Sequence, residues 1–166
     1  MDAAPEYTIA RATDSDLDGI LDLLAEIAAE ERWLGTELPL DRPKRKLAMR
    51  TTVLRDDALM LAAVAGGKVI GELTMIPERP GRLDLAIAIL EPWRGKGLGK
   101  ALMTQAIAWA RAAKAYKIVL EVFPHNASAI ALYERMGFVR EGLFRRHVLR
   151  KSGELWDSVP MGLLLD

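Results

Sequence analysis

Between residues 83 and 89 the chain alternates, with Leu83, Leu85, Ile87 and Ile89 on one side and Asp84, Ala86 and Ala88 on the other, which predicts a half-buried strand. Ten residues on, the period changes to that of a helix, with Leu98, Leu102, Ala106, Trp109 and Ala113 on one face. Upstream, Thr8 to Arg11 reads as a first strand, and Asp14 or Ser15 caps an amphipathic helix through Leu17, Ile20, Leu21, Leu24, Ile27 and Ala28. A charged second helix is expected near Asp41 to Leu54. Leu59 to Val64 and Lys68 to Met75 then form a hairpin turned by Gly66-Gly67, followed by a loop from Pro77 to Gly81. Ile118 to Val122 is a short β-rich run stopped by Pro124, after which Asn126 is a good N-cap and Gly137 ends a helix. The chain closes with Phe138 to Leu149, a turn at Lys151-Ser152-Gly153-Glu154, and Leu155 to Leu165. Pro160 in that last run predicts an edge position or a bulge.

Composition narrows the class. With 166 residues and 51% apolar content, the chain suffices for one domain spanning 1–166, with no repeats or linkers to divide it. No apolar run reaches membrane-spanning length and the amino terminus lacks a signal-peptide pattern, so the expected compartment is cytoplasmic and no membrane partner is expected. The absence of cysteine excludes disulfides, thiolate metal sites and a cysteine nucleophile. His125 and His147 are too isolated for a metal site, so no metal is expected. Formal net charge is zero, which gives no reason to expect nucleic acid. Two basic blocks stand out. Arg42, Lys44, Arg45, Lys46 and Arg50 fit a solvated helix face; Arg145, Arg146, Arg150 and Lys151 fit a solvated hairpin, or contact with an acidic partner or an outer cofactor phosphate.

The chemistry concentrates in two places. Arg94, Gly95, Lys96, Gly97, Leu98 and Gly99 lie between the alternating strand and the helix that follows. A glycine-dense turn opening a helix lets backbone approach a ligand, and the first helical N–H groups point at an anion. The spacing fails the dinucleotide G-x-G-x-x-G, because the third glycine comes one residue early, and fails the Walker loop, which would need glycine at position 94 and Ser or Thr at 101. The second place is the helix after Asn126, where Asn126 and Tyr133 are seven residues apart and so share a face.

Arg94-x-x-Gly97-x-Gly99 after a strand resembles the pyrophosphate-binding turn of the Gcn5-related N-acetyltransferase (GNAT) family. N-x-x-A-x-x-L-Y-x-x-x-G-F, from Asn126 to Phe138, is similar to the second hallmark of that family, in the right order and spacing. The branches most like it are those that acetylate ribosomal-protein alanine termini or phosphinothricin-like amino acids. The resemblance implies an α/β (α+β) fold, a mixed, mostly antiparallel twisted sheet of six to seven strands with helices on both faces. It also implies acetyl-CoA as cosubstrate and direct attack of a primary amine in a ternary complex. The amine belongs to a small molecule or amino acid, or to a protein amino terminus.

By the same resemblance the cofactor is held by Ile89, Leu90, Glu91, Arg94, Gly95, Lys96, Gly97, Leu98, Gly99, Lys100, Asn126 and Tyr133. A backbone N–H near Ile89 to Glu91 serves the oxyanion, and Tyr133 acts as general acid toward the departing thiolate. For the general base, Glu121 in its L-E-V strand is the first candidate, with Asp84 and Glu72 as alternatives. Glu31, Trp33 and Glu37, between the first two helices, face the substrate in such proteins. Trp33 reads equally well as a wall of that site or as half-buried packing. A non-catalytic acyl-CoA-binding sensor or interaction module is the rival from another class, and a second copy of the chain is left open as a partner.

Overall fold

The computed structural model describes residues 6–166. Its eight strands are β1 (Thr8–Arg11), β2 (Leu59–Ala65), β3 (Lys68–Arg79), β4 (Arg82–Ile89), β5 (Lys117–Val122), β6 (Val139–Arg140), β7 (Phe144–Leu149) and β8 (Leu155–Leu164). Four helices, α1 (Leu17–Ala28), α2 (Arg42–Val53), α3 (Leu98–Ala112) and α4 (Ala127–Arg135), complete it, with short 3-10 turns at Asp14–Asp16 and Glu91–Trp93. The sheet order is β1-β2-β3-β4-β5-β8-β6, with β7 also on β8, and every pairing but β4 with β5 is antiparallel. The expected mixed, mostly antiparallel sheet is therefore present, with eight strands instead of six or seven. The extra strand arises because the run from Phe138 to Leu149 breaks at Glu141–Leu143 into β6 and β7.

Two prolines behave differently from expectation, for one reason. Pro77 lies inside β3, not in a loop, and Pro160 lies on β8, which is an interior strand. A strand residue directs its missing N–H to one neighbour only. At Pro77, β3 has already run past the start of β2, whose Leu59 pairs with Met75. At Pro160 the neighbouring strand is interrupted between β6 and β7, and only the proline carbonyl is used, accepting from the Glu141 N–H at 2.8 Å.

Helices α1 and α2 cover one face of the sheet, and α3 and α4 the other. Gly71 of β3 permits close packing on the second face, since a Cβ there would stand 3.2 Å from Leu98 Cδ2. The core under α3 is continuous with that under α1. It includes Leu17, Ile20, Leu73, Met75, Leu102, Met103, Ala106 and Ile118, none more than 1% exposed. The basic face of α2 is answered by α1 and its leading turn. Arg42 meets Asp22 at 2.8 Å, Lys46 meets Asp18 at 3.0 Å and Arg50 meets Asp14 at 2.5 Å, a ladder with a four-residue step on each element. Thr13, not Asp14 or Ser15, caps the 3-10 turn ahead of α1, its N–H and hydroxyl both reaching Asp16, which itself stands at the N-cap of α1. Among the described residues no helix is long and apolar enough to cross a membrane.

Leu102 is fully buried where α3 meets β3. Leu102→Ala is expected to lower unfolding free energy by about 3 kcal/mol in a urea titration, through lost transfer energy plus a cavity. Leu47→Ala on exposed α2 should stay within about 0.5 kcal/mol of wild type.

Candidate active site

Parallel pairing between β4 and β5 lasts only from Arg82/Lys117 to Asp84/Val119, although β4 runs on to Ile89 and β5 to Val122. Past Asp84 the strands part, and β4 keeps only its bonds to β3. Those bonds alternate along an antiparallel pair, so only every second residue faces β3. The Leu90 N–H belongs to that set, donating to the Ile70 carbonyl at 2.9 Å. Of the three residues expected to offer an oxyanion donor, Leu90 is therefore already committed. Ile89 points its backbone the other way, into the gap, where its carbonyl accepts from Arg94 Nε at 2.8 Å and its N–H is directed at the cavity.

The gap opens into a cavity of about 670 Å³. Ile87, Ala88 and Ile89 of β4 form one wall, and Arg94, Gly95, Gly97, Gly99 and Lys100 of the turn form another. Asn126, Tyr133 and Arg135 of the α4 region close the far side, and Ile27, Trp33 and Leu34 the near end. The turn suits an anion. Gly97, at φ +89°, is the N-cap of α3 and supplies no side-chain acceptor, whereas Asp41 and Asn126 cap α2 and α4 with theirs. The first amide of α3 with an intrahelical partner is that of Ala101, so those of Leu98, Gly99 and Lys100 are free for a ligand. A Cβ on Gly97 would meet nothing within 4 Å, so the space above it is open to a phosphate. One on Gly99 would stand 2.8 Å from Leu132 Cδ2, so that glycine lets α3 and α4 approach. These features fit the diphosphate of a coenzyme A thioester.

Other expected cofactor residues divide. Leu98 sends its side chain into the core at 1% exposure, and Leu90, Glu91 and Lys96 lie outside the cavity lining. Asn126 both caps α4, accepting from the Ala129 N–H at 3.3 Å, and lines the cavity. Tyr133 is 7% exposed, and burial pushes its hydroxyl up to about 12, so the phenol stays protonated. The lining also includes Ser128, Leu132, Arg135 and Met136, which sequence reasoning did not single out. The helical repeat through Asn126 and Tyr133 places Ala129 and Met136 on their face; Ser128 and Arg135 fall on the other side of that repeat and carried no such signal.

The three candidate bases share the sheet face under α1 and α2 but not one environment. Glu121 is half-exposed; its Oε2 accepts from Ser158 Oγ at 3.0 Å and lies 3.4 Å from His147 Nε2, and it does not line the cavity. Asp84 is raised above the ordinary carboxylate range by burial, with Glu78 and Glu121 adding to the shift and Arg82, 3.6 Å away, opposing it. Glu72 is 6% exposed, and burial raises it from near 4.5 to about 7, against the Thr74 hydroxyl, which donates at 2.9 Å, and the charge of Arg45. Glu72 and Asp84, like Glu121, do not line the cavity, but in register Glu72 stands opposite Ala88, a residue of its wall.

Of the expected substrate-facing residues only Trp33 lines the cavity. Glu31 is exposed, at φ +54°. Glu37 is a staple: its carboxylate accepts from the Lys151 N–H at 3.0 Å and lies 3.5 Å from Arg150 Nε. Arg150 is not part of a solvated hairpin. It is 4% exposed, donates to the Leu34 carbonyl at 2.8 Å and lies 4.1 Å from the Trp156 ring centre. Lys151 Nζ donates to the Leu38 carbonyl and His125 Nε2 meets the Arg32 carbonyl at 2.6 Å. The segment from 30 to 38 is thus pinned to the β5–α4 loop and to the β7–β8 turn.

A sequence profile described as Acetyltransferase (GNAT) family matches residues 20–138. The chain is 30% identical over 164 residues to L-amino acid N-acetyltransferase AaaT of Escherichia coli, covering 94% of this chain and 96% of that protein. It is 29% identical over 157 residues to the L-methionine sulfoximine/L-methionine sulfone acetyltransferase of Pseudomonas aeruginosa, covering 92% and 91%. The crystal structure of a GNAT superfamily phosphinothricin acetyltransferase from Sinorhizobium meliloti in complex with AcCoA superposes with a TM-score of 0.85. That match has 23% identity and covers 96% of this chain and 88% of that one.

Glu72 has a stability consequence. Its folded pKa lies above the unfolded one, so between about 4.5 and 7 the folded protein holds the extra proton and stability falls as pH rises through that window. Glu72→Gln is expected to remove about 2–3 kcal/mol of this decline. Urea unfolding at pH 5 and pH 8 checks it: the variant should gain on wild type at pH 8 and match it at pH 5.

Proposed function

We propose that this chain, which belongs to the GNAT acetyltransferase family and transfers an acetyl group from acetyl-CoA to a primary amine, takes its amine from free amino acids. The observation that carries the reading is the pinned segment from 30 to 38. Fixed by Arg150, Lys151 and His125, it puts Trp33 and Leu34 across the acceptor end of the cavity, which suits a small molecule better than a polypeptide terminus. The relatives named for amino-acid acetylation support the same class.

Acetyl-CoA supplies the acetyl group as a thioester. The chain does the rest. The amides at the start of α3, with Lys100 beside them, hold the diphosphate. The Ile89 N–H, turned into the gap, donates to the carbonyl oxygen as negative charge grows there. Glu72 takes the proton of the attacking ammonium: a carboxylate near pH 7 is well matched to an α-amine near 7.7 to 8.0, and poorly to a lysine near 10.4. Tyr133 acts as a neutral hydrogen-bond donor to the leaving sulfur. With the phenol near 12 and a thiol near 8.5, full proton transfer would be uphill by about 5 kcal/mol, so the tyrosine keeps its own proton; the second proton, lost from the nitrogen as the tetrahedral intermediate collapses to the amide, goes to the departing thiolate, which leaves as the free thiol.

Thiol release from acetyl-CoA, followed with free amino acids, their amides, an alanine-terminated peptide and spermidine, tests the substrate class. Free amino acids should lead, and the amides should lose at least tenfold in kcat/KM; peptide as the best acceptor would overturn the reading. Gly97→Val should weaken acetyl-CoA binding by more than tenfold in calorimetry. Tyr133→Phe should lower kcat about 10- to 100-fold with acetyl-CoA affinity retained.

The acidic limb of kcat/KM should fall near pH 7 in wild type and vanish in Glu72→Gln, with at least tenfold loss of rate at neutral pH. If the limb survives there and disappears in Asp84→Asn or Glu121→Gln, that residue is the base.

A further inference from the structure

Arg94 heads the glycine turn, where a cation beside a diphosphate would be its obvious task, yet its donors are engaged within the protein. Nε donates to the Ile89 carbonyl at 2.8 Å, and the two terminal nitrogens reach the two oxygens of Glu30 at 2.8 and 2.6 Å. This is the planar, bidentate arrangement that only arginine makes with a carboxylate. Glu30 is engaged twice, since its Oε1 also accepts from the indole Nε1 of Trp33 at 3.0 Å. The Arg94 guanidinium lies 5.9 Å from the Trp33 ring centre, and Arg32 covers that ring at 4.5 Å. His125 packs 6.0 Å from Trp33. The Arg94 hydrogen bonds, helped by that of Trp33, hold Glu30 below the usual carboxylate range, so it stays anionic wherever the enzyme would work.

We infer that Arg94 and Glu30 are positioning residues that hold Trp33, the wall of the acceptor site, in register with the cofactor turn, and that the diphosphate is left to the turn's backbone amides and to Lys100. The inference rests on the reading of the cavity as an acetyl-CoA and amino-acid site. It links two halves of the site that are 64 residues apart in sequence. One carboxylate receives the guanidinium of the turn and the indole of the wall, so loss of either partner frees Trp33 to rotate out of the cavity. Arginine at this position therefore acts on the acceptor, while the glycines beside it act on the cofactor.

The two roles separate experimentally. In Glu30→Gln and Arg94→Gln, acetyl-CoA Kd by calorimetry should stay within threefold of wild type. The KM of the best amino acid from the panel should rise at least tenfold, with kcat changing less than threefold. The double variant should be no worse than either single one. Arg94→Lys should fail to restore KM, because an ammonium cannot bridge Ile89 and both oxygens of Glu30. A readout without substrate comes from the Trp33 indole N–H in ¹⁵N NMR, assigned with Trp33→Phe: it should shift in Glu30→Gln and Arg94→Gln alike.

A rise of more than tenfold in acetyl-CoA Kd for Arg94→Gln with acceptor KM unchanged would make Arg94 a phosphate ligand and overturn the inference. So would an unshifted indole resonance in Glu30→Gln, a variant that keeps its size and does not depend on Arg94→Gln folding. If wild type itself neither binds acetyl-CoA nor acetylates any amino acid, the proposed function fails first, and the inference with it.

Discussion

Everything at this site depends on two strands that stop pairing halfway. β4 and β5 hold each other through Asp84 and Val119 and then separate, each still bonded to its outer neighbour, β3 or β8. Separation therefore costs only the few ladder bonds at the centre of the sheet, and it leaves backbone groups of β4 directed at a cavity in place of a partner strand. A buried polar group must find a partner. The Ile89 carbonyl finds Arg94, while the Ile89 N–H, on the same side of the strand, faces the gap. The strand-to-helix turn then begins where β4 ends, so the first amides of α3, which have no intrahelical partner, and the outward backbone of β4 stand at neighbouring points of one continuous wall.

Charge is distributed with the same economy. Net charge is zero, but it is not evenly spread. Arg42, Lys46 and Arg50 of α2 are each matched by an aspartate of α1 or its leading turn, and exposed pairs of this kind contribute little stability each. The unusual charges lie inward. Arg150 is buried against a tryptophan and the carbonyl of Leu34, and Glu72 is buried beneath α2. A buried arginine without its carboxylate and carbonyl would be costly, which ties the β7–β8 turn to the loop after α1 and fixes the acceptor end of the cavity.

Glu72 illustrates what burial does to a carboxyl. A carboxyl removed from water prefers its proton, which costs stability above neutral pH, and it places this carboxyl's pKa near 7, the match on which the proposed base role rests. Thr74 and Arg45 moderate the shift without cancelling it. Glu121 was the first candidate from sequence because its strand leads into the Asn126 helix, but the structure gives it solvent, a serine and a histidine for neighbours. Strand alternation tells which face a residue occupies and not whether a helix covers that face.

Local periodicity and turn chemistry determined most elements of this chain, because the period of apolar residues and the backbone freedom of glycine act over a few residues. The strand through Ile89, the helix from Leu98, the cap at Asn126 and the stop at Gly137 are all where the sequence places them. So is the glycine turn that opens α3, with Gly97 as its N-cap. Tertiary structure alone decided which charges meet. Nothing in the residues near Arg94 indicates that its guanidinium turns to Glu30, or near Glu37 that it receives the amide of Lys151, because those partners are brought together by sheet topology across 64 and 114 residues. Tertiary structure likewise decided that Pro160 could sit on an interior strand, because the neighbouring strand breaks at the point where a proline has no N–H to give.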